Sequence, residues 1–335
     1  MNLSNEKIIL RSRPSGEVKA DNFEIIKNEI PVPGENEILV KARYFSVDPY
    51  MRNRMNNVES YVEPYKLDSA VSGDAIAEVI QSNSDKFKEG DLIVGSLPWQ
   101  KYSVPRLSLI EKIEPHDNIQ ATAYLGILGL TGLTAYFGLL DIADPKPEET
   151  IVISAAAGAV GSAVGQMAKI KDCKVIGITG SGIKSAYILD ELHFDEAIDY
   201  KKTPNIRKAL RNLCSQRVDI YFDNVGGDIS DGVFYWLNDF ARIILCGQIA
   251  LYNLSRLSMG PRLYPQFIIH RVKMQGFIVY DYINRFQEAK DQIKQWLLED
   301  KIKYTENIVE GFENIPAALL GLFSGDNIGK QLVKV

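Results

Sequence analysis

The sequence is poor in the residues that hold metals and cross-links. Its 335 residues include only 3 cysteines and 3 histidines. Cys173, Cys214 and Cys246 are widely spaced and odd in number, which argues against a disulfide framework and fits a reducing compartment. His116, His193 and His270 stand apart. No Cys-x-x-Cys, His-x-x-x-His or Gly-His-Glu accompanies them, so the spacing that would converge nitrogen and sulfur ligands on zinc is missing. The chain reads as zinc-free. Positive charge is not in excess either: 38 basic side chains against 43 acidic ones give a formal charge of −5. With no positive field to draw it onto a phosphate backbone or an anionic bilayer, nucleic acid and membrane are not expected partners.

Long hydrophobic runs are also scarce. Near the start, the apolar run Ile8-Ile9-Leu10 is followed at once by arginines, so there is no signal-peptide core and the expected location is cytoplasmic. Ala121 to Leu140 carries no charge and is long enough to span a bilayer. Gly126, Gly129, Gly132 and Gly138 interrupt it, however, and no Lys or Arg flanks it, which predicts buried, glycine-interrupted helices instead.

What is present is a globular composition, with 46% hydrophobic, 24% charged and 10% aromatic residues, and room for about two domains. Up to about Ile110, short β-rich runs (Lys7 to Leu10, Glu37 to Ala42, Asp74 to Ile80, Leu92 to Gly95) alternate with Pro and Gly turn signals. This predicts a small, mostly antiparallel β domain. After about Thr150 the texture changes. Strand-like runs at Ile151 to Ile153, Lys174 to Thr179, Ala197 to Asp199, Val218 to Phe222 and Arg242 to Cys246 alternate with helix-like runs at Val160 to Lys171, Ile183 to His193, Ile206 to Cys214 and Ser230 to Leu237. That alternation predicts βαβ units around a parallel sheet. The amphipathic run Asn284 to Glu299 closes this domain, and the strand-like Gln331 to Val335 is expected to rejoin the first.

The most informative segment is Ile151-Val152-Ile153-Ser154-Ala155-Ala156-Ala157-Gly158-Ala159-Val160-Gly161. A buried strand enters a small-residue turn and a helix leaves it, the arrangement that aims backbone N–H groups at a pyrophosphate. Gly158, Gly161 and Gly165 either serve that purpose or simply let a helix approach the sheet. The next strand ends Thr179-Gly180-Ser181 without the acid that binds both ribose hydroxyls of NAD, and Lys184 follows, which points to NADP(H). Lys184 is either a partner of the 2′-phosphate or an ordinary solvated helix lysine.

Five segments taken together carry a family resemblance: Val47-Asp48-Pro49-Tyr50-Met51-Arg52, Gly132 to Leu139, Ala155 to Gly161, Tyr221-Phe222-Asp223-Asn224-Val225-Gly226-Gly227, and Gly325-Asp326-Asn327-Ile328-Gly329-Lys330. The chain resembles, over nearly its whole length, the zinc-independent medium-chain reductases of the prostaglandin and leukotriene reductase type, which include alkenal and enone double-bond reductases. The resemblance implies an α/β protein with a GroES-like β-rich catalytic domain (1–120 and 305–335) and a Rossmann doubly wound domain (121–304). It also implies NADPH, and reduction of a carbon–carbon double bond conjugated to a carbonyl. Cofactor contacts would come from Gly158, Ala159, Val160 and Gly161 at the pyrophosphate, and from Lys184 and Tyr200 near the 2′-phosphate. Asn224, Cys246, Gly247, Gln248, Ile249, Tyr252, Phe277, Ile278, Val279 and Asn327 would line the rest. Two positions depart from the pattern: Thr131 stands where the family has proline, and Gly73-Asp74-Ala75 where plant members have Gly-Tyr-Gly.

Hydride addition to an enone places developing charge on the carbonyl oxygen, so the reaction needs a donor facing that oxygen and a proton for the α-carbon. Tyr252 and Tyr50 are the candidate catalytic residues, with the nicotinamide ribose hydroxyl as a non-protein alternative. The competing readings are an NADPH:quinone oxidoreductase and a non-catalytic NADPH-binding protein. The substrate expected is a small α,β-unsaturated carbonyl compound. The apolar run Val272 to Val279 reads as a late edge strand whose pairing would make a homodimer.

Overall fold

The computed structural model describes residues 4–203, 205–214, 216–256 and 258–335. Its contacts divide the chain into two units, one of residues 1–125, 306–327 and 331–335 and one of residues 126–305 and 328–330. In the first unit the strands are β1 (Asn5–Leu10), β2 (Phe23–Asn28), β3 (Ile38–Ser46), β4 (Ser72–Ser82), β5 (Leu92–Pro98), β6 (Tyr102–Ser103) and β7 (Ile110–Lys112), with the short helix α1 (Tyr50–Arg54) after β3. Pairing is antiparallel, as with Val40 opposite Val79 and Ile76 opposite Val94. Irregularities at Leu39/Val40 and Ala42/Tyr44 bend β3 against β4. Ile8, Phe45, Met51, Ile93 and Trp99 are buried in one core.

The second unit contains α2 (Leu130–Tyr136), β8 (Thr150–Ser154), α3 (Ala159–Ile170), β9 (Lys174–Thr179), α4 (Gly182–Ala186), β10 (Glu196–Asp199), α5 (Ile206–Leu213), β11 (Val218–Asp223), α6 (Gly227–Phe234), β12 (Leu237–Leu245), α7 (Ile249–Tyr252), α8 (Tyr264–Ile269), β13 (Lys273–Gly276) and α9 (Phe286–Leu298). Among the described residues six strands form one sheet in the order β10-β9-β8-β11-β12-β13. Ile151 pairs with Val175 on one side and Ile220 on the other, and both ladders are parallel. Such strands are covered on both faces, which is why β8 is buried throughout and reads as a continuous β-branched run. The chain runs outward from β8 to β10 and then restarts at β11 on the other flank of β8. The carboxyl ends of β8 and β11 therefore bound the point where the strand order reverses.

The uncharged stretch from Ala121 forms short pieces: a 3₁₀ turn over Ala121–Leu125, α2, and a π-helical turn over Phe137–Ala143. No helix among the described residues is long and apolar enough to cross a membrane. Thr131, at the family's proline position, donates its hydroxyl to Gly126 O at 2.9 Å and so closes the turn before α2.

Several sequence-derived boundaries shift. The helix expected from Ser230 to Leu237 is α6, which starts earlier because Gly226, at φ +75°, breaks the chain directly after β11. It also stops earlier: Trp236 N–H bonds Val233 O and its indole N–H bonds Cys214 O, which turns Leu237 into β12. The edge strand expected over Val272 to Val279 is only β13. Phe277 and Ile278 leave the ladder and Val279 opens a 3₁₀ turn. The helix expected from Ile183 is α4 continued by a π-helical turn over Tyr187–Glu191.

After α9 come β14 (Glu306–Glu310), α10 (Ile315–Ser324) and β15 (Lys330–Lys334). Gly325, in the left-handed conformation at φ +75°, ends α10. The larger sheet of the first unit is then β14-β15-β3-β4-β5-β7, with β6 paired to β3.

Candidate cofactor site and its polar support

At the carboxyl end of β8, Ala155 takes a positive φ of 49° and Gly158 caps α3, its N–H donating to Ala155 O at 2.9 Å. A Cβ at Gly161 would lie 2.5 Å from Ala155 O, closer than any real contact, so the helix reaches the turn only because that position is glycine. Gly329 N–H donates to Ala157 O at 2.8 Å, a tie from the return segment that braces the turn from outside. Gly158, Ala159, Val160 and Gly161 are thus held together on one turn at the positive end of a twelve-residue helix, where an anion is stabilised.

At the end of β9, Ser181 caps α4 by accepting from Lys184 N–H at 3.3 Å, and Thr179 and Ser185 share a hydroxyl contact at 2.7 Å. The Tyr200 ring lies over Gly180, its Cε1 3.1 Å from where a Cβ would stand. Lys184 and Tyr200 are thereby placed at adjoining strand ends, β9 and β10, beside a backbone with no acid in Thr179-Gly180-Ser181. Lys202 joins them, with its Nζ 3.5 Å from the Cβ position of Gly182. Nothing in its sequence position sets it apart from an ordinary surface lysine.

At the ends of β11 and β12 the backbone is organised around Asp223, which is buried. Its Oδ1 accepts from Ser154 Oγ (3.1 Å), Tyr221 OH (2.9 Å) and the N–H groups of Val225 (3.0 Å) and Gly226 (2.9 Å). Its Oδ2 accepts from Ser230 Oγ (2.7 Å) and Gln248 Nε2 (3.0 Å). Asn224 donates its side chain to Ser154 O, and the N–H groups of Cys246 and Gly247 reach Asp223 O. Gln248 N–H donates to the Tyr252 hydroxyl at 3.0 Å. A phenol that accepts such a bond becomes a better donor of its own proton. Ser154 and Asp223 were missed in the residue reading. Their signal was a polar residue at the carboxyl end of a buried parallel strand, Ser154 closing β8 and Asp223 closing β11.

The remaining candidates are spread out. Phe277 contributes its ring to the packing around Gly138, and Ile278 and Val279 lead into the 3₁₀ turn. Tyr50 and Asn327 belong to the first unit. Tyr50 is the first residue of α1 and packs on that unit's core. Gly73, in β4, faces Met51, whose Cε would be 2.3 Å from a Cβ there, so methionine fills that space.

The cysteines do not serve as nucleophiles. Burial pushes the Cys173 thiol up to about 11, and burial together with the Asp223 charge pushes Cys246 up to about 12, so both stay protonated at neutral pH. Burial also raises the Cys214 thiol above its ordinary value.

A parallel sheet with a small-residue turn at its switch point, in one chain with an antiparallel β unit, is the architecture of a two-domain dinucleotide-binding protein. Residues 6–113 match the family described as the N-terminal domain of oxidoreductase, and residues 159–295 the family described as zinc-binding dehydrogenase. The YfmJ protein of Bacillus subtilis (strain 168) is 53% identical over 100% of this chain and 99% of its own length. The NADP⁺-dependent 2-alkenal reductase of Nicotiana tabacum is 40% identical over 99% of this chain and 98% of its own. Among solved structures, CurA of Vibrio vulnificus in complex with NADPH is 42% identical, with a TM-score of 0.94 over 98% of this chain and 99% of that one. The chain belongs to the medium-chain dehydrogenase/reductase family, in its prostaglandin, alkenal and curcumin reductase branch. Among the described residues no group of three His, Cys, Asp or Glu is placed to hold the metal that one family description names.

Proposed function

We propose that the protein is an NADPH-dependent reductase that saturates the carbon–carbon double bond of α,β-unsaturated ketones or aldehydes. NADPH supplies the hydride when bound. Gly158 to Gly161 hold the pyrophosphate by backbone N–H groups, and Lys184 and Tyr200 meet the 2′-phosphate beside Gly180. Asn224, Cys246, Gly247, Gln248, Ile249, Tyr252, Phe277, Ile278 and Val279 complete the binding surface of the second unit.

The observation that carries the reaction type is the Tyr252 hydroxyl, anchored by Gln248 N–H at the carboxyl end of the sheet, where open α/β sheets bind their ligands. A phenol has a reference pKa of about 10, stays protonated at neutral pH and donates a hydrogen bond to a developing enolate oxygen without a metal. Tyr252 orients the nicotinamide ribose and stabilises or protonates the enolate, while Tyr50 contributes packing. The names of the relatives, an alkenal reductase and an NADPH-bound reductase structure, support the same class of substrate and cofactor.

The protein is also proposed to be a homodimer. β13 pairs only with β12 in the described sheet, and Met274 on it is 40% exposed, an edge that a second copy would cover.

Steady-state assays of an enal, an enone and a quinone with NADPH and with NADH test the function. Turnover of the enal or enone with NADPH is expected. Turnover confined to the quinone would replace this reading with a quinone oxidoreductase.

A further inference from the structure

The cofactor-facing ends of three strands meet on one buried side chain. Asp223 ends β11; Ser154 ends β8; Gln248 follows β12. The carboxylate accepts from all three segments: from Ser154 Oγ, from Val225 and Gly226 N–H in its own loop, and from Gln248 Nε2. The N–H groups of Val225 and Gly226 and the amide of Gln248 are obligate donors, so the oxygens they approach must accept. The Gln248 carboxamide is pinned a second time by Gly247 O at 2.9 Å, and it lies over Gly226, where a Cβ would fall 2.1 Å from its Oε1. The backbone N–H of this doubly held glutamine is the one that bonds Tyr252.

We infer that Asp223 is a positioning residue: it locks the ends of β8, β11 and β12 into one surface for the nicotinamide half of the cofactor and, through Gln248, sets the pose of the Tyr252 hydroxyl. This rests on the NADPH reading above. The adenosine half is predicted to be independent of it, because Gly180, Lys184 and Tyr200 sit at β9 and β10, on the far side of β8 from β11. Each mononucleotide-binding half of a doubly wound sheet takes one half of the dinucleotide.

The test exploits that division. D223N keeps the size of the side chain but must turn its N–H₂ either toward the Val225 and Gly226 N–H groups or toward Gln248 Nε2, all of which only donate; the Ser154, Tyr221 and Ser230 hydroxyls can reorient to accept. Equilibrium binding, without substrate, is measured for NADPH by its fluorescence and for adenosine 2′,5′-bisphosphate by competition, alongside the melting midpoint. For D223N the NADPH dissociation constant should rise about tenfold or more, as expected for a lost hydrogen bond to a charged acceptor, while that for the bisphosphate stays within about twofold. The double variant D223N/Q248E exchanges the two roles, so that the introduced amide donates and the introduced carboxylate accepts, and it should recover part of the NADPH affinity. Equal weakening of both ligands, or unchanged binding of both, would overturn the inference, since the first marks a general loss of structure and the second an idle carboxylate. Should D223N not fold, S154A removes one donor and is expected to show the same split on a smaller scale; equal loss for both ligands would again overturn it. Wild-type protein that bound neither probe would refute the NADPH reading itself, an outcome distinct from any pattern among the variants.

Discussion

A few side chains in the proposed site have distinct jobs. Tyr252→Phe removes the proposed donor and leaves the ring, so turnover of an enone should fall about tenfold, less than the roughly 100-fold that loss of a sole oxyanion donor costs, because a ribose hydroxyl or water substitutes in part. Tyr50→Phe should change turnover by less than about threefold. Measuring both variants on one enone, with the NADPH dissociation constant determined separately, checks the assignment; loss of turnover in Tyr50→Phe alone would exchange the two roles. Lys184→Ala should raise the Michaelis constant for NADPH about tenfold and scarcely move that for NADH, since only the former carries the 2′-phosphate. At this scale the sequence was legible where geometry forces a residue type, as at Gly161, where a Cβ would strike Ala155 O. It was not legible where a residue's role is created by convergence. Nothing near Asp223 in the sequence announces that Ser154, 69 positions away, and Gln248, 25 positions away, would meet its carboxylate.

Whole elements are held in register by a smaller set of ties. Arg242, on β12, donates two 2.6 Å bonds to the Glu149 carboxylate at the entrance to β8 and a third, at 2.8 Å, to Ala143 O at the end of the π-helical turn. Burial by itself would raise the Glu149 pKa, but the Arg242 guanidinium and the Lys146 N–H outweigh it and hold the carboxyl below its ordinary value. A carboxyl lowered in the folded state adds stability above its unfolded pKa of about 4.3, and that stability is lost as pH falls through the lower folded value. The melting midpoint of the wild type should therefore drop more steeply below about pH 4.3 than that of Glu149→Gln. Arg242→Met should cost about 2 kcal/mol at neutral pH in a denaturant titration, because it takes the guanidinium from a mostly buried carboxylate and leaves it the Lys146 N–H. The alternation of strands and helices was readable because parallel strands buried on both faces are rich in apolar and β-branched residues, as in Thr150-Ile151-Val152-Ile153. Ends were harder to read. Where α6 stops depends on the Trp236 indole finding Cys214 O, and where β13 stops depends on Phe277 turning inward to the rings around Gly138, both of them long-range contacts.

For the molecule as a whole, the composition pointed to a two-domain globular protein, and the order of motifs along the chain carried the family. Oligomeric state depends on how one edge is covered. Light scattering across a concentration series should give twice the monomer mass, and Met274→Lys on β13 should shift it toward the monomer; monomer mass at every concentration would reject the dimer. The proposed chemistry stands or falls on whether hydride goes to the alkene carbon rather than to the carbonyl. The most direct measurement is product analysis after turnover of an enone with NADPH deuterated at the transferable position. A saturated ketone with deuterium on the β-carbon is the predicted product. An allylic alcohol with deuterium on the former carbonyl carbon would contradict it.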